Sequence, residues 1–215
     1  MSPTNTLPAN PLRLYGAPLS GHAHRAQLML SLLDLPYEYR AVDLAKGEQR
    51  TPAFLALNPF GTVPVIEDGD VVIADSAAIL VYLASRYDAE RRWLPTDPQR
   101  AAEVQRWLSV AQGPVFNGPC AARMIAKFGR PLDPARARLV AEQLFAVLEP
   151  WFAARDFLVD GDGPTIADVA LYSYIALAPE GGIEIAPYPN LCAWLQRIEA
   201  LPRFLPMPGR TPQAA

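Results

Sequence analysis

A short segment in the first half of the chain carries residues that suit the binding of a charged ligand. Asp75 and Ser76 follow a strand-like run and precede an apolar helical pattern from Ala77 to Arg86. The first N–H groups of a helix lack partners within the helix, and with the helix dipole they favour an anion there. Asp and Ser are also good N-cap residues, so an ordinary cap is the alternative interpretation.

The strands before this helix are predicted to form a hairpin. Val63 to Ile66 and Val71 to Ala74 are apolar strand patterns, and the Asp-Gly step between them is typical of a tight turn. Pro64 cannot donate a ladder hydrogen bond, so we expect it at a strand start, a sheet edge or a cis peptide bond. A cis Val63-Pro64 bond would turn the backbone N–H and C=O of Val63 toward an extended ligand.

The first helix offers further polar side chains at its start. Ser20 precedes a helical apolar pattern that runs to Leu33, which suits it to the N-cap position. His22 and His24 are the only histidines in the sequence, and without further ligands a metal site is not expected. Either one histidine contacts a ligand or both cover the helix start, and His22 is the candidate for a ligand contact.

These residues belong to a pattern of alternating strands and helices at about 12–86. Leu12 to Tyr15 and Tyr37 to Val42 are predicted as strands, and Pro52 to Leu57 as a short helix behind the N-cap Thr51. Together with the hairpin and the two longer helices, they give the order β-α-β-α-β-β-α. This is the thioredoxin-like α/β arrangement.

The remainder, at about 97–205, is predicted to be an all-helical domain behind a linker at 88–98. Helical periodicity at 101–111 and 134–154 is followed by helices at 169–177 and 190–199, the first of them behind the capping pair Thr165 and Asp168. The segment 112–120 contains two glycines and two prolines, which favours a loop between helices. The proline-containing tail from Pro206 is expected to be mobile.

Composition narrows the class of protein. The 215 residues are 51% apolar, enough for a substantial core, and the formal charge of −3 gives no reason to expect nucleic acid or an anionic membrane as a partner. Apolar runs are too short to span a bilayer, and residues 1–11 lack a secretion-signal profile, so we expect a cytoplasmic protein. Cys120 and Cys192 have neither metal-ligand nor redox spacing and are expected to be buried, reduced thiols.

Four motifs occur together in this chain: Leu14-Tyr-Gly-Ala-Pro-Leu-Ser-Gly21, Leu30-Ser-Leu-Leu-Asp-Leu-Pro-Tyr37, Phe54-Leu-Ala-Leu-Asn-Pro-Phe-Gly-Thr-Val-Pro64 and Asp75-Ser-Ala-Ala-Ile79. With them, residues 12–205 resemble a cytosolic glutathione transferase of the bacterial type. The resemblance implies that Val63 pairs through its backbone with the cysteinyl part of glutathione, while Asp75 and Ser76 hold the γ-glutamyl end. That end is a zwitterion, so Asp75 can take its ammonium while Ser76 and the helix start take its carboxylate. Asp168 is implied to be a folding element.

The resemblance also implies the chemistry at the first helix. Redox proteins of this fold keep a cysteine at that helix start, where the dipole lowers its pKa, whereas this chain has Ser20 and Gly21. In the resembling transferases a Ser or Tyr hydrogen-bonds the sulfur of glutathione and favours the nucleophilic thiolate. Ser20 is the first candidate for this role and Tyr15 the second, and a cap without catalysis is the alternative for Ser20.

Further ligand contacts are predicted where this chain differs from the family pattern. Many relatives have Lys or Gln before the Val-Pro step, or a His one residue earlier, to hold the glycyl carboxylate, but this chain has Gly61-Thr62. Thr62 offers a hydroxyl, and Gln49 or Arg50 could supply the missing contact, although a solvated loop is favoured for Arg50. Phe116 and Asn117 are candidates for contact with an electrophile in an apolar cleft between the domains.

The expected function is that of a glutathione transferase, active in detoxification as a homodimer, which joins the glutathione thiolate to small apolar electrophiles. Glutathione is then the co-substrate, without a metal. One alternative is a glutathione-binding protein without useful transferase activity, serving as a ligand carrier or partner module. Another is a glutathione-dependent isomerase or dehalogenase, which would share the fold and differ in the electrophile.

Overall fold

The computed structural model describes residues 7–208, which form two compact units. The first contains residues 7–94 together with 202–208, and the second contains residues 95–201. The C-terminal segment joins the first unit through polar contacts with its first helix. The Ser31 hydroxyl donates to the Arg203 carbonyl at 2.7 Å, and His24 Nε2 lies 2.8 Å from the Leu205 carbonyl oxygen.

The first unit is built around a four-stranded mixed sheet with the strand order β2-β1-β3-β4. Strand β1 is parallel to β2, and β3 is antiparallel to both β1 and β4. This confirms the predicted thioredoxin-like arrangement. The elements in chain order are β1 (Leu12–Gly16), α1 (Gly21–Leu32), β2 (Tyr37–Ala41), a 3₁₀ helix (Glu48–Arg50), α2 (Pro52–Leu57), β3 (Val65–Asp68), β4 (Val71–Ala74) and α3 (Ser76–Tyr87).

Apolar side chains that are completely buried join the central strands to helices α1 and α3, which pack against each other. Burial of such side chains is the main favourable contribution to the stability of a domain. Gly16 at the end of β1 lets α1 approach, because a Cβ there would lie 2.9 Å from the Cβ of Ala23. The completely buried residues of these elements include Leu12, Leu14, Leu28, Met29, Leu30, Ile66, Ile79, Leu80 and Leu83.

The hairpin of β3 and β4 is confirmed, but β3 begins later than predicted. Its first residue is Val65, and the Val63-Pro64 bond before it is cis. Pro64 has no N–H to donate to a neighbouring strand, so regular pairing starts only after it. Gly69 in the turn has a φ of +58°, a conformation that glycine adopts without steric cost.

The second unit is helical throughout its regular structure, as expected. Its helices are α4 (Pro98–Gln112), α5 (Ala121–Phe128), α6 (Pro134–Ala153), α7 (Ile166–Ala176) and α8 (Pro189–Glu199), with a 3₁₀ helix at Ala178–Gly181. The predicted capping arrangement is present, since the Thr165 side chain and the Asp168 carboxylate cap the start of α7 reciprocally. Asp168 is completely buried and also accepts hydrogen bonds from Leu158 N and Trp194 Nε1, both at 3.0 Å.

The predicted loop at 112–120 is wrong over most of its length. Residues Phe116–Cys120 form a π-helix that runs directly into α5. Gly118 allows this, because a Cβ at that position would lie 2.8 Å from the backbone nitrogen of Ala141 in α6. Tertiary packing against α6 therefore overrides the helix-breaking tendency of glycine and proline.

The C-terminal end departs in part from the expectation of a mobile tail. The mobility expected from Pro206 onward does not fit Met207, which is 2% exposed, while residues 209–215 lie outside the described part of the chain.

Within residues 7–208, no helix combines the length and apolar character needed to cross a membrane. The same residues contain no cluster of three or more His, Cys, Asp or Glu side chains suited to a metal ion.

Candidate active site

Sheet register brings three candidate segments to one end of the first unit. Val65 pairs with Tyr15 on one side and with Ala74 on the other. The Val63-Pro64 step, one position beyond that pairing, therefore lies beside the residues that follow β1 and those that follow β4. These are the turn leading to Ser20 and the helix start at Asp75, so segments that are far apart in the chain meet in space.

Ser20 is the N-cap of α1, as expected for this position. Its Oγ accepts a hydrogen bond from the Ala23 backbone N–H at 3.2 Å, and the residue is half-buried. A serine hydroxyl has two acceptor lone pairs and one proton, and the cap uses a lone pair only. The cap therefore leaves the Ser20 proton available for donation to a ligand atom, so the two interpretations of Ser20 are compatible.

The Tyr15 hydroxyl is engaged within the sheet. It donates to the Glu67 carboxylate at 2.8 Å, and Arg13 Nη1 lies 3.2 Å from the same oxygen. The ring packs edge-on against Phe54, with 6.3 Å between the ring centroids. Burial and the hydrogen bond to Glu67 raise the pKa of Tyr15 above its ordinary value. Since the phenol has a single proton, this geometry does not present a donor to a ligand.

Asp75 is the N-cap of α3. Its Oδ1 accepts from the backbone N–H groups of Ala77 and Ala78 at 2.8 and 3.1 Å. The residue is exposed and has a φ of +78°, which is uncommon for a residue with a side chain. Unfavourable backbone conformations of this kind concentrate at functional positions, so the geometry favours a role for Asp75 beyond capping.

Ser76, the first residue of α3, is 2% exposed and faces helix α1. Its Oγ accepts from Arg25 Nη1 at 3.2 Å and lies 3.2 Å from His22 Nδ1. Arg25 Nη1 also lies 3.0 Å from His22 Nδ1. The predicted site residues His22 and Ser76 are therefore brought together, with Arg25 between them.

Arg25, which the sequence motifs did not indicate as a site residue, is completely buried. The signal was a cation inside the apolar pattern of α1, flanked by His24 and Ala26. Arg side chains are rarely buried in full without a specific set of partners. Two of those partners, His22 and Ser76, lie at the starts of the helices that meet here.

The Arg25 contact fixes the state of the His22 ring. Because an arginine can only donate, His22 Nδ1 is the acceptor, and the ring proton is assigned to Nε2. Burial and the neighbouring positive charge of Arg25 lower the pKa of His22 to about 3. His22 is therefore a neutral hydrogen-bonding group at physiological pH.

The loop before the cis peptide is held by a buried asparagine. Asn58, 1% exposed, donates from Nδ2 to the carbonyl oxygen and the Oγ1 of Thr62 at 2.8 and 3.0 Å. Thr62 is itself exposed and Val63 half-buried. As in Ser20, the contact uses the Thr62 hydroxyl as an acceptor and leaves its proton for donation.

Gln49 lies against this loop, in the 3₁₀ helix Glu48–Arg50. A Cβ on Gly61 would lie 2.8 Å from the Gln49 carbonyl oxygen, so the two segments are in close contact. Gln49 Nε2 lies a long 3.5 Å from the Leu44 carbonyl, and within residues 7–208 its buried Oε1 has no hydrogen-bond partner. Arg50 is exposed and its Nη1 reaches the Phe60 carbonyl at 3.4 Å.

Phe116 and Asn117 belong to the second unit, at the start of the π-helix. Phe116 is 38% exposed, and Asn117 Nδ2 donates to the Gly113 carbonyl at 2.9 Å. The proposed cleft between the domains stays a prediction. Neither Cys120 nor Cys192 forms a disulfide. Cys120 is buried as expected, but Cys192 is only half-buried, and its Sγ donates to the Ile185 carbonyl at 3.3 Å.

Comparison with known proteins decides the family. Residues 14–91 match the model of the glutathione S-transferase N-terminal domain, and residues 130–202 match that of the C-terminal domain. Glutathione S-transferase 3 of Zea mays is 38% identical over 205 residues, which cover 90% of this chain and 91% of the maize protein. The chain belongs to the glutathione S-transferase family.

Solved structures of glutathione S-transferases share its fold. The enzyme from Pseudomonas fluorescens superimposes with a TM-score of 0.86 at 35% identity, covering 93% of this chain and all of that one. A glutathione transferase homologue from Drosophila mojavensis, solved with bound glutathione, gives a TM-score of 0.80 at 35% identity, with 89% of each chain covered. The expected fold and the expected enzyme class, a glutathione transferase, are thereby confirmed.

Proposed function

We propose that the protein conjugates the thiolate of bound glutathione to small apolar electrophiles, with Ser20 as the residue that stabilises the thiolate. The observation that carries this proposal is the meeting of the α1 start, the Val63-Pro64 step and the α3 start at one end of the sheet. These three segments offer the kinds of groups that the three parts of the tripeptide need.

The γ-glutamyl end is assigned to Asp75 and Ser76. The exposed Asp75 carboxylate is suited to the ammonium group, while the helix start and the Ser76 hydroxyl are suited to the carboxylate. The cysteinyl backbone is assigned to the N–H and C=O of Val63. The glycyl carboxylate is assigned to the Thr62 hydroxyl and the Gln49 side chain, whose segments are in contact. His22 is assigned to the γ-glutamyl side, where it accepts from the same Arg25 that donates to Ser76.

The sulfur is assigned to Ser20, because its hydroxyl proton is not used in capping α1. A hydrogen bond to the ionised form, together with the dipole at a helix start, lowers the pKa of a thiol. The thiol proton passes to solvent, the thiolate sulfur forms a bond to the electrophilic carbon, and the leaving group departs with its electron pair. The hydrogen bond from Tyr15 to Glu67 supports Ser20 over Tyr15 for this role.

The electrophile is assigned to an apolar cleft between a glutathione-binding domain at about 12–86 and a helical domain at about 97–205, with Phe116 and Asn117 among its contacts. Binding both reactants side by side supplies proximity, which removes much of the entropic barrier of a two-molecule reaction. A homodimer, a cytoplasmic location and a part in detoxification belong to the same proposal.

The pH dependence of thiolate absorbance tests this function when glutathione saturates the protein. We expect a titration well below that of a free thiol, near 8.5, and turnover with a generic aryl halide. Saturable binding with an unshifted thiol would instead indicate a ligand carrier. An absence of binding would contradict the assignment of all the contacts above.

A further inference from the structure

The C-terminal segment 202–208 is hydrogen-bonded to helix α1 near both ends of the helix. Near the start of α1, the ring of the buried His24 lies with Nε2 2.8 Å from the Leu205 carbonyl oxygen. Because a carbonyl oxygen can only accept, Nε2 carries the proton and donates it. Near the end of α1, the Ser31 hydroxyl donates to the Arg203 carbonyl at 2.7 Å.

Packing and proline content favour a fixed position for this segment. Met207, just beyond Leu205, is 2% exposed, so the segment is packed as well as hydrogen-bonded. Prolines at positions 202, 206 and 208 restrict the chain before it docks, which lowers the conformational entropy that is lost on ordering. A segment of this kind can hold the part of α1 to which it is bonded.

His24 is also bonded to the residue assigned to the glutathione sulfur. Its backbone N–H donates to the Ser20 carbonyl at 2.9 Å, which is the first hydrogen bond of the helix. Helix ends open more easily than helix centres, because their first N–H groups have no partner within the helix. The bond from the His24 ring to Leu205 restrains this turn from outside the helix, one turn away from Ser20.

We propose that His24 is a positioning residue for the reaction: through Leu205 it fixes the first turn of α1, and thereby the Ser20 hydroxyl assigned to the glutathione sulfur. This inference rests on the proposed function. None of the glutathione contacts assigned above involves His24 or the segment 202–208. A donor whose position is fixed before the ligand binds stabilises a charge without first having to reorganise.

The thiolate absorbance of bound glutathione measures how well Ser20 is placed. His24→Met fills the buried space without a ring N–H. It is expected to raise the thiol pKa by about 0.5 to 1, which is a loss of thiolate of about three- to tenfold below that pKa. His24→Gln keeps a side-chain N–H for the Leu205 carbonyl and is expected to retain most of the wild-type lowering of the thiol pKa. In unliganded His24→Met, the amide groups in the first turn of α1 are expected to exchange hydrogen faster than in the wild type.

Ser31→Ala is the matched control, because it removes a hydrogen bond to the same segment at the other end of α1. It is expected to lower the stability in a urea melt and to leave the thiol pKa at the wild-type value. Met207→Glu tests the segment without altering α1. A charge at this buried position releases the segment, so the thiol pKa is expected to rise as in His24→Met. Met207→Leu stays apolar and is expected to keep the wild-type value.

Each outcome decides between positioning and stability. A wild-type thiol pKa in His24→Met overturns the inference. An equal rise in Ser31→Ala also overturns it, because the effect would then follow stability and not position. If His24→Met does not fold, a wild-type thiol pKa in Met207→Glu overturns the inference instead. A wild-type protein that binds no glutathione, or binds it with an unshifted thiol, contradicts the proposed function itself. Equal amide exchange in wild type and His24→Met contradicts the role of His24 at the start of α1, whether or not glutathione binds.

Discussion

The Tyr15 hydroxyl donates a 2.8 Å hydrogen bond to the Glu67 carboxylate, across the pairing of β1 with β3. Because this bond uses the only phenolic proton, we expect Tyr15→Phe to leave the thiol pKa of bound glutathione unchanged and turnover within about twofold, under ~0.5 kcal/mol in barrier. Stability should fall by about 1 kcal/mol, the usual contribution of such a bond. A titration of thiolate absorbance measures the thiol pKa, and a urea melt measures the stability. A large rise in the thiol pKa would assign activation to Tyr15.

Ser20→Ala should affect both folding and chemistry. Loss of the cap should cost about 1 kcal/mol of stability. Loss of the hydroxyl should raise the thiol pKa of bound glutathione and slow turnover with an aryl halide by about tenfold or more, as expected for a hydrogen bond to a charged group. Ser20→Thr should retain activity because it keeps a hydroxyl.

Thr51→Ala is the matched control for the loss of a cap. Thr51 Oγ1 caps α2 by accepting from Phe54 N at 3.3 Å. This variant should lose stability as Ser20→Ala does, by about 1 kcal/mol, with its thiol pKa unchanged. If turnover survives Ser20→Ala undiminished, the serine is only a cap.

The capping and ligand-binding roles of Asp75 can be separated with two variants. Asp75→Asn keeps an oxygen that can accept from Ala77 and Ala78, so stability should change little. Its lost charge should weaken glutathione binding by roughly 1.5–3 kcal/mol, measured by calorimetry. Asp75→Ala should lose the same affinity and, in addition, about 1 kcal/mol of stability. Unchanged affinity in both variants would remove Asp75 from the site.

His22 should make the stability of the protein depend on pH. Its folded pKa of about 3 lies below the ordinary value of 6.5, so the unfolded chain binds a proton at a higher pH than the folded protein does. The stabilisation is present above about pH 6.5 and is lost as the pH falls toward 3, by up to about 1.4 kcal/mol per pH unit.

Urea melts of wild type and His22→Gln at several pH values between 7 and 5 measure this contribution. The variant removes the titrating group and keeps an acceptor for Arg25, so its stability should fall less steeply with decreasing pH. Equal slopes for the two proteins would contradict the lowered pKa of His22.

The buried carboxylate of Asp168 should be a major source of stability in the second unit. It accepts from Leu158 N, Thr165 N and Trp194 Nε1 at 2.8–3.0 Å. Asp168→Ala leaves these buried donors without an acceptor and should cost about 3 kcal/mol or more. Asp160→Ala is the control, because its side chain is 78% exposed and pairs with Arg155 on the surface, and it should cost under about 1 kcal/mol.

Local chemistry explains why much of the fold could be predicted from the sequence. The Asp-Gly turn, the caps at Ser20, Thr51 and Thr165, and the helical periodicities each depend on residues close together in the chain, and the structure confirms them. The order of strands and helices then leaves few ways to close the sheet.

Contacts between distant segments explain what the sequence analysis missed. Arg25 in α1 can be understood only with Ser76, 51 residues later, because nothing near Arg25 in the chain indicates which helix start covers it. The π-helix was missed for a similar reason. Glycine and proline weaken a helix locally, and only the approach of α6 at Ala141 shows why Gly118 is required there.

The π-helix also restricts which changes in chain length this transferase can tolerate. Each residue of an α-helix turns the chain by about 100°, so one residue inserted between Gly118, which packs against Ala141, and Arg123 in α5 would rotate Arg123 about the helix axis. Arg123, paired with Glu180 at 2.8 Å, would then leave its partner and emerge on another side of the helix. Insertions and deletions should therefore accumulate among relatives in the exposed segment at 130–133 and be rare at 116–120.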